Sequence, residues 1–267
     1  MAKRQRGTTP QRIQKWTKQG RGQGTGATYK PWLTIQDVPS RGVVSRVKGW
    51  KHGRVHHLLS LHELNYFYTL EWDQEVTDIR EQFPLPLNYT RKIAQKLGIR
   101  HPADPRTRHD VVMTTDFYMV VRRGGTTFGA ARSVKPGHQL ESKRVREKLE
   151  IERYFWTMRR TPVDWKVVTD LNISTGLSGN IKWVHGYRNL SDFCRLPPEL
   201  VRDAVRVLTD RVRTENRPLR DITSGTDDRL GLDPGTSLAL VRHLIANRQW
   251  AVDMCHPINP GQRLVLV

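Results

Sequence analysis

The sequence predicts an α/β chain: a mixed-sheet domain followed by a separate, mostly helical tail. Two runs rich in Val, Thr and aromatic residues are joined by Gly124-Gly125, a two-residue hairpin signal. A long helical pattern over residues 141–158 then leads into another strand-like run, and that order suggests a right-handed crossover packed on a sheet. The third observation is charge. Of the net +19 carried by 267 residues, residues 1–54 hold +12, from 13 Lys+Arg against the single acid Asp37. Residues 197–267 hold +1, from ten Arg against nine acids.

The elements follow in order. Residues 1–54 form a basic arm whose glycines, Gly20, Gly22, Gly24 and Gly26, follow neither helical nor strand spacing. Two readings stand for it: a solvated, partly disordered tail, or an arm lying along DNA phosphates. The glycine run is not a nucleotide-binding fingerprint, because no strand precedes it and no helix follows. Residues 60–72 read as a helix, 76–83 as a strand ending at Pro84, and 91–98 as a short helix. After a polar loop with Pro102 and Pro105, strands are expected over 111–121 and 126–135. The helix over 141–158 turns Val145, Leu149, Ile151, Tyr154, Phe155 and Met158 to its apolar side, and 163–169 is a further strand. In the tail, Pro197-Pro198 opens a helix to about Thr214, and Ser237 caps a second with Leu238, Val241, Leu244 and Ile245 facing inward. Residues 250–254 and 263–267 are then expected to pair across Ile258-Asn259-Pro260-Gly261. Helices closed by a terminal hairpin resemble a winged helix, and the small net charge suits docking on a protein. Domains are therefore expected at 1–54, 55–186 and 187–267.

Composition narrows the function classes. No apolar run reaches the roughly 20 residues of a membrane helix, and the first 26 residues have no signal-peptide core. Cys194 and Cys255 form neither a disulfide framework nor a zinc spacing, which points to a reducing cytoplasm. Net +19 points to a polyanion, nucleic acid first.

The hairpin is where chemistry gathers. With Gly124-Gly125 as its loop, paired positions sum to 249, so Asp116 faces Ser133 and Thr114 faces Lys135. Ser133 and Lys135 share one strand face, so Asp116, Ser133 and Lys135 converge. An ordinary cross-strand ion pair and a reactive site are both consistent with that spacing. Glu63 sits in an otherwise apolar stripe with Leu59, Tyr66 and Leu70. A carboxylate there needs a partner. A capping box, Ser60 to Glu63 with Glu63 bonding back to the Ser60 amide, serves as well as a site role.

These residues resemble the TnsA transposon endonuclease family. The resemblance runs through Arg54-Val55-His56-His57-Leu58-Leu59-Ser60, Glu63-Leu64, Leu70-Glu71-Trp72 and Asp78-Ile79-Arg80-Glu81-Gln82-Phe83-Pro84-Leu85. It continues in Met113-Thr114-Thr115-Asp116-Phe117, Val134-Lys135-Pro136 and 147–153, and in the arm through 20–24 and 31–34. It covers residues 18 to about 185 in order and rests on domain plan beyond 190. It implies a restriction-endonuclease-like nuclease domain followed by a winged-helix-like domain. It also implies cleavage of the 5′ strands at transposon ends in bacterial cytoplasm, beside a TnsB-like DDE transposase and a TnsC-like AAA+ ATPase. Carried over residue by residue, Glu63 matches the family's helix glutamate, Asp116 its metal-binding aspartate and Lys135 its lysine. Ser133 departs from it, because the family usually places Gln there. Serine is a shorter, weaker ligand, so its hydroxyl is expected to hold a metal-bound water, with the Val134 carbonyl as a direct ligand. Glu147 or Glu150 is a candidate for a displaced carboxylate, a solvated helix face being the other reading.

The implied chemistry is Mg²⁺-dependent phosphodiester hydrolysis, with Mn²⁺ as a substitute. Asp116 and Glu63 hold the metal, and Lys135 orients the attacking water. Phosphate contacts are expected from Arg54, His57, Arg80, Lys143 and Arg144. The last two crowd a helix start, where basic side chains oppose the dipole, and for Arg80 an ion pair is the alternative. Two rival readings remain: a catalytically impaired DNA-binding adaptor, and a stand-alone restriction- or resolvase-type endonuclease.

Overall fold

A computed structural model describes residues 7–38, 42–161 and 163–267. Lys3, Arg4, Arg6 and Arg41 of the basic arm lie outside the described residues. The chain divides into two compact units, Met1–Ile173 and Ser174–Val267.

The first unit is built on a four-stranded sheet in the order β3 (Val76–Pro84), β4 (Thr114–Arg123), β5 (Thr126–Val134), β6 (Val163–Val168). The first three are antiparallel and β6 is parallel to β5, which makes the sheet mixed. The crossover between β5 and β6 is α4 (Lys143–Thr157), as the strand–helix–strand order predicts. The hairpin closes at Arg123 opposite Thr126, and the pairing runs back to Phe117 opposite Arg132, the register expected from a two-residue loop. Gly124 and Gly125 both have left-handed φ, 55° and 79°, as a twist-matched two-residue turn requires. α3 (Leu87–Lys96) and α4 bury Ile93, Ile151, Phe155 and Trp156 against Ala131 and Leu85. Phe83, Tyr118 and Trp156 form an aromatic column with centroids 5.0–5.7 Å apart. A small sheet of β1 (Ser45–Lys48) and β2 (Val55–Leu58) precedes α2 (Leu61–Trp72).

The arm is folded where it is described. α1 (Pro10–Lys18) is capped by the Thr9 hydroxyl, which accepts from the Arg12 amide. Trp16, Tyr29 and Trp32 are buried, and Trp16 meets Trp32 edge-on at 5.4 Å. The Arg12 and Arg21 guanidinium groups lie 4.5 and 4.4 Å from the Trp16 ring centre, and both reach Asp37. The sequence missed this because Gly20, Gly22, Gly24 and Gly26 all take left-handed φ, so tight turns replace any period. Gly22 also lies so close to Pro84 that an added Cβ would fall 2.2 Å from its ring. Burial works to raise the Asp37 pKa, but the Thr34 and Arg21 hydrogen bonds outweigh it and hold the carboxyl below its usual value. That contribution to stability is present above the unfolded carboxyl pKa and is lost as pH falls through the lowered one. Asp37→Asn is expected to cost about 1–2 kcal/mol and to raise the rate of limited proteolysis within residues 7–38.

The second unit holds four helices: α5 (Thr175–His185), α6 (Pro198–Thr214), α7 (Leu219–Leu230) and α8 (Thr236–Ala246). Leu208, Leu219, Ile222, Leu240 and Ile181 fill its core. The expected terminal hairpin does not form as strands. Residues 250–254 and 263–267 share a single backbone bond, from the Val267 amide to the Ala251 carbonyl. The Asn180 side chain takes up the intervening backbone instead, donating to the Met254 and His256 carbonyls and accepting from the Ile258 amide. That clamp ties the connecting turn to α5, and no strand forms over 250–254 or 263–267. Nor does Ser237 cap α8. Gly235 stands at the cap, and the Asp227 carboxylate accepts from the Gly235 and Ser237 amides at 2.8 Å.

Candidate active site

Where the hairpin register ends, its two strands deliver side chains into one cleft of about 520 Å³. Asp116 Oδ2 accepts from Lys135 Nζ at 2.6 Å and from the Val134 amide at 2.7 Å. Lys135 Nζ also donates to the Val134 carbonyl at 2.9 Å. The ammonium thus rests on Asp116 and Val134, the same oxygens that the resemblance assigns to a metal. Burial alone would lower the Lys135 pKa, but Asp116, then Glu152 and Glu63, outweigh it and hold the amine charged.

Glu63 enters from α2 and takes the capping role foreseen for it. Its amide donates to the Ser60 hydroxyl, so it closes the helix N-terminus. Its carboxylate accepts from Ser60 Oγ at 3.1 Å and from the amide of Leu59 rather than Ser60, at 2.9 Å. Burial, and then the nearby charge of Asp116, push its pKa up to about 7. A raised folded pKa stabilises the protonated form. Metal-free protein is therefore expected to lose stability as pH rises from the ordinary glutamate range through about 7. Chemical denaturation across that window should show the loss, and Glu63→Gln should flatten it.

Ser133 is buried, and its hydroxyl donates to Glu152 Oε1 rather than turning to Asp116. The same oxygen accepts from Thr115 Oγ1 at 2.7 Å and Trp165 Nε1 at 3.2 Å. Burial raises the Glu152 pKa, and the charge of Asp116 adds to that. Glu147 and Glu150 are not in the site: Glu147 pairs with Arg144 and Glu150 with Arg153 on the outer face of α4. The carboxylate beside Ser133 is Glu152, which sequence reading missed. The signal was present, since Glu152 follows Leu149 and precedes Phe155 and Trp156 on the buried side of α4. It is a charged residue in an apolar stripe, the pattern that singled out Glu63.

Gln82 was also missed. It lies in β3 between the pairs Glu81–Phe117 and Phe83–Thr115, with φ 50°. Its side-chain amide donates to Glu63 Oε2 at 3.3 Å and accepts from Thr114 Oγ1 at 3.0 Å. Its backbone carbonyl accepts from the Trp32 amide of the arm. A non-glycine residue with positive φ is strained and tends to mark a functional position. Gln82→Ala is expected to cost about 2 kcal/mol through the lost hydrogen bonds, and Gln82→Gly less, because glycine relieves the backbone. Paired thermal denaturation of the two variants checks this.

The expected DNA-contacting residues fare unequally. Arg54 is turned inward, donating to the fully buried Glu81 and to the Ile79 carbonyl. Burial would raise the Glu81 pKa, but Arg54 and His56 outweigh it and hold it at about 2. His57 is half-buried behind Ile35. Arg80 is committed to Asp78 at 2.7 Å, the ion-pair alternative, and lies over the Tyr118 ring. Arg144 holds the Arg100 carbonyl as well as Glu147, while Lys143 is exposed at the start of α4. Lys148, unremarked in the sequence, lines the cleft with Asp116 and Lys135. Burial, then Lys135 and Arg144, lower its pKa.

Among the described residues no group of three or more His, Cys, Asp or Glu side chains is placed to hold a metal ion. The Asp116 carboxylate and the Val134 carbonyl meet at Lys135 Nζ, and Glu63 lies near enough for the charge of Asp116 to raise its pKa; all three offer oxygen. They fit a hard cation that keeps some of its waters.

Comparison with known proteins gives the family of the chain. Residues 73–170 match the TnsA-like endonuclease N-terminal family, and residues 172–254 match the TnsA endonuclease C-terminal family. The transposition protein TnsA of transposon Tn7 from Escherichia coli is 39% identical over 247 residues, 92% of this chain and 87% of that protein. The chain belongs to the TnsA family. The TnsA N-terminal match includes Asp116, Ser133, Lys135 and Glu152, while Glu63 stands just ahead of it. TnsA membership brings with it endonuclease action, transposition and DNA recombination. Among the described residues no helix is long and apolar enough to cross a membrane.

Proposed function

We propose that this chain is a metal-dependent DNA endonuclease that cleaves the 5′ strands at transposon ends. It would act in cut-and-paste transposition with a TnsB-like DDE transposase and a TnsC-like AAA+ ATPase. The observation that carries the reading is Asp116 of β4 held by Lys135 just past β5, with Glu63 of α2 within reach of its charge, in a TnsA-family chain. A divalent cation, Mg²⁺ with Mn²⁺ as a substitute, supplies charge neutralisation at the phosphate and hydroxide near neutral pH when bound. Asp116, Glu63 and the Val134 carbonyl would hold it. Lys135, released from Asp116, donates to a non-bridging phosphate oxygen and orients the attacking water, and it stabilises the pentacovalent phosphate. Glu152 keeps Ser133 and Thr115 in place behind Asp116, and Gln82 steadies Glu63. No covalent enzyme intermediate is needed.

A second reading, an assembly adaptor without cutting activity, draws on Ser133, whose hydroxyl is committed to Glu152 and faces away from Asp116. One assay separates them. A plasmid bearing transposon ends is incubated in Mg²⁺ with this protein, with and without its transposase and ATPase, and cuts are mapped by strand. Cuts at the 5′ strands only with partners support the proposal. No cuts with any combination support the adaptor, and cuts without partners support a stand-alone endonuclease.

A further inference from the structure

The cleft that holds Asp116 is one end of a longer trough. It shares Ile13, Trp32 and Val112 with a neighbouring hollow of about 510 Å³. That hollow shares Pro86, Phe155 and Arg159 with a groove of about 610 Å³ between α3 and α4. Along this line the charge reverses. The cleft sets Asp37, Asp104, Asp116 and Glu152 against Lys135 and Lys148, while the groove is lined by Lys92, Lys96, Arg159 and Arg160 and by no acid.

These four cations differ from several arginines of the same unit. Arg21, Arg54, Arg80 and Arg132 each rest on a carboxylate. Among the described residues none of the groove cations does. Lys96 reaches only the Tyr154 hydroxyl and ring, and Arg159 stacks on Phe155 and Trp156 at 5.6 and 5.4 Å. Lys92 and Lys96, four residues apart on α3, project from one face. Four like charges around an apolar floor repel one another, and a polyanion seated there relieves that repulsion. We infer that the α3–α4 groove binds the phosphate backbone of the duplex leading away from the cleavage cleft. The inference rests on the endonuclease reading for the identity of the polyanion. The continuity of the trough argues for DNA over an acidic peptide, since a duplex with one phosphate beside Asp116 extends its neighbours along it.

The test is fluorescence anisotropy of the full-length chain on a labelled transposon-end duplex, without divalent metal, over a salt series. Lys92→Ala with Arg160→Ala should weaken binding and flatten the slope of log K against log salt by about two, near 0.9 for each phosphate no longer neutralised. Arg202→Ala with Arg206→Ala removes equal charge from α6, and its slope should match wild type. Equal slopes for the groove pair and wild type, at unchanged melting temperature, overturn the assignment. So does competition for the groove by an acidic peptide with no effect of the groove pair on DNA. Asp116→Ala separates the two readings. If the groove pair binds DNA more weakly while neither wild type nor Asp116→Ala cuts it once Mg²⁺, transposase and ATPase are supplied, the groove stands and the nuclease proposal falls.

Discussion

Asp116→Asn is expected to lower 5′-strand cleavage by about 10³-fold or more, on the scale of losing a principal electrostatic group in a hydrolytic site. Asp116 touches everything the site needs: the Lys135 ammonium, the Val134 amide and, through its charge, both Glu63 and Glu152. The amide variant keeps the shape and one acceptor for the Val134 amide, so the fold should survive. The Lys135–Asp116 pair is partly open, with the lysine side chain 30% exposed, so its loss costs little stability. Single-turnover cleavage with partners present, set beside a melting curve, checks both halves. Cleavage at the wild-type rate would remove Asp116, and with it the proposed chemistry, from the site.

The second large effect concerns stability. Glu152→Ala is expected to destabilise the first unit by about 3–5 kcal/mol. It leaves three buried or partly buried donors, on Ser133, Thr115 and Trp165, without their shared acceptor. Glu152→Gln retains an acceptor oxygen and should recover most of that loss. Because the Glu152 pKa is raised, its contribution is greatest below the ordinary glutamate pKa and declines as pH rises through the raised one. Glu152→Gln, which cannot ionise, should lack that decline. Urea titrations of the three proteins at several pH values decide it, and similar stabilities for Glu152→Ala and wild type would show that those donors find other partners.

The resemblance reached the family from local motifs, and the hairpin register followed from two glycines. Other parts of the site were less legible. Gln82 looks like any polar residue in a strand, and only its place opposite a skipped pairing position makes its φ positive and aims it at Glu63. Arg54 reads as a surface cation until β2 and β3 bring Glu81 beneath it. The turn over 254–258 was equally hidden, because the Asn180 that holds it lies more than seventy residues earlier.

By itself the sequence determined the periodic elements of the first unit, the convergence of Asp116 and Lys135, and the membership that goes with them. These depend on neighbours along the chain or across one tight turn, where spacing dictates geometry. Tertiary structure alone decided which cations can meet a polyanion. It buried Arg54, spent Arg21 and Arg80 on aspartates, and left Lys92, Lys96, Arg159 and Arg160 around a groove with no carboxylate partner among the described residues. Net charge counts every lysine and arginine alike. Whether one can meet a phosphate depends on which carboxylates the fold sets within about 4 Å of it, and that is a property of residues distant in sequence.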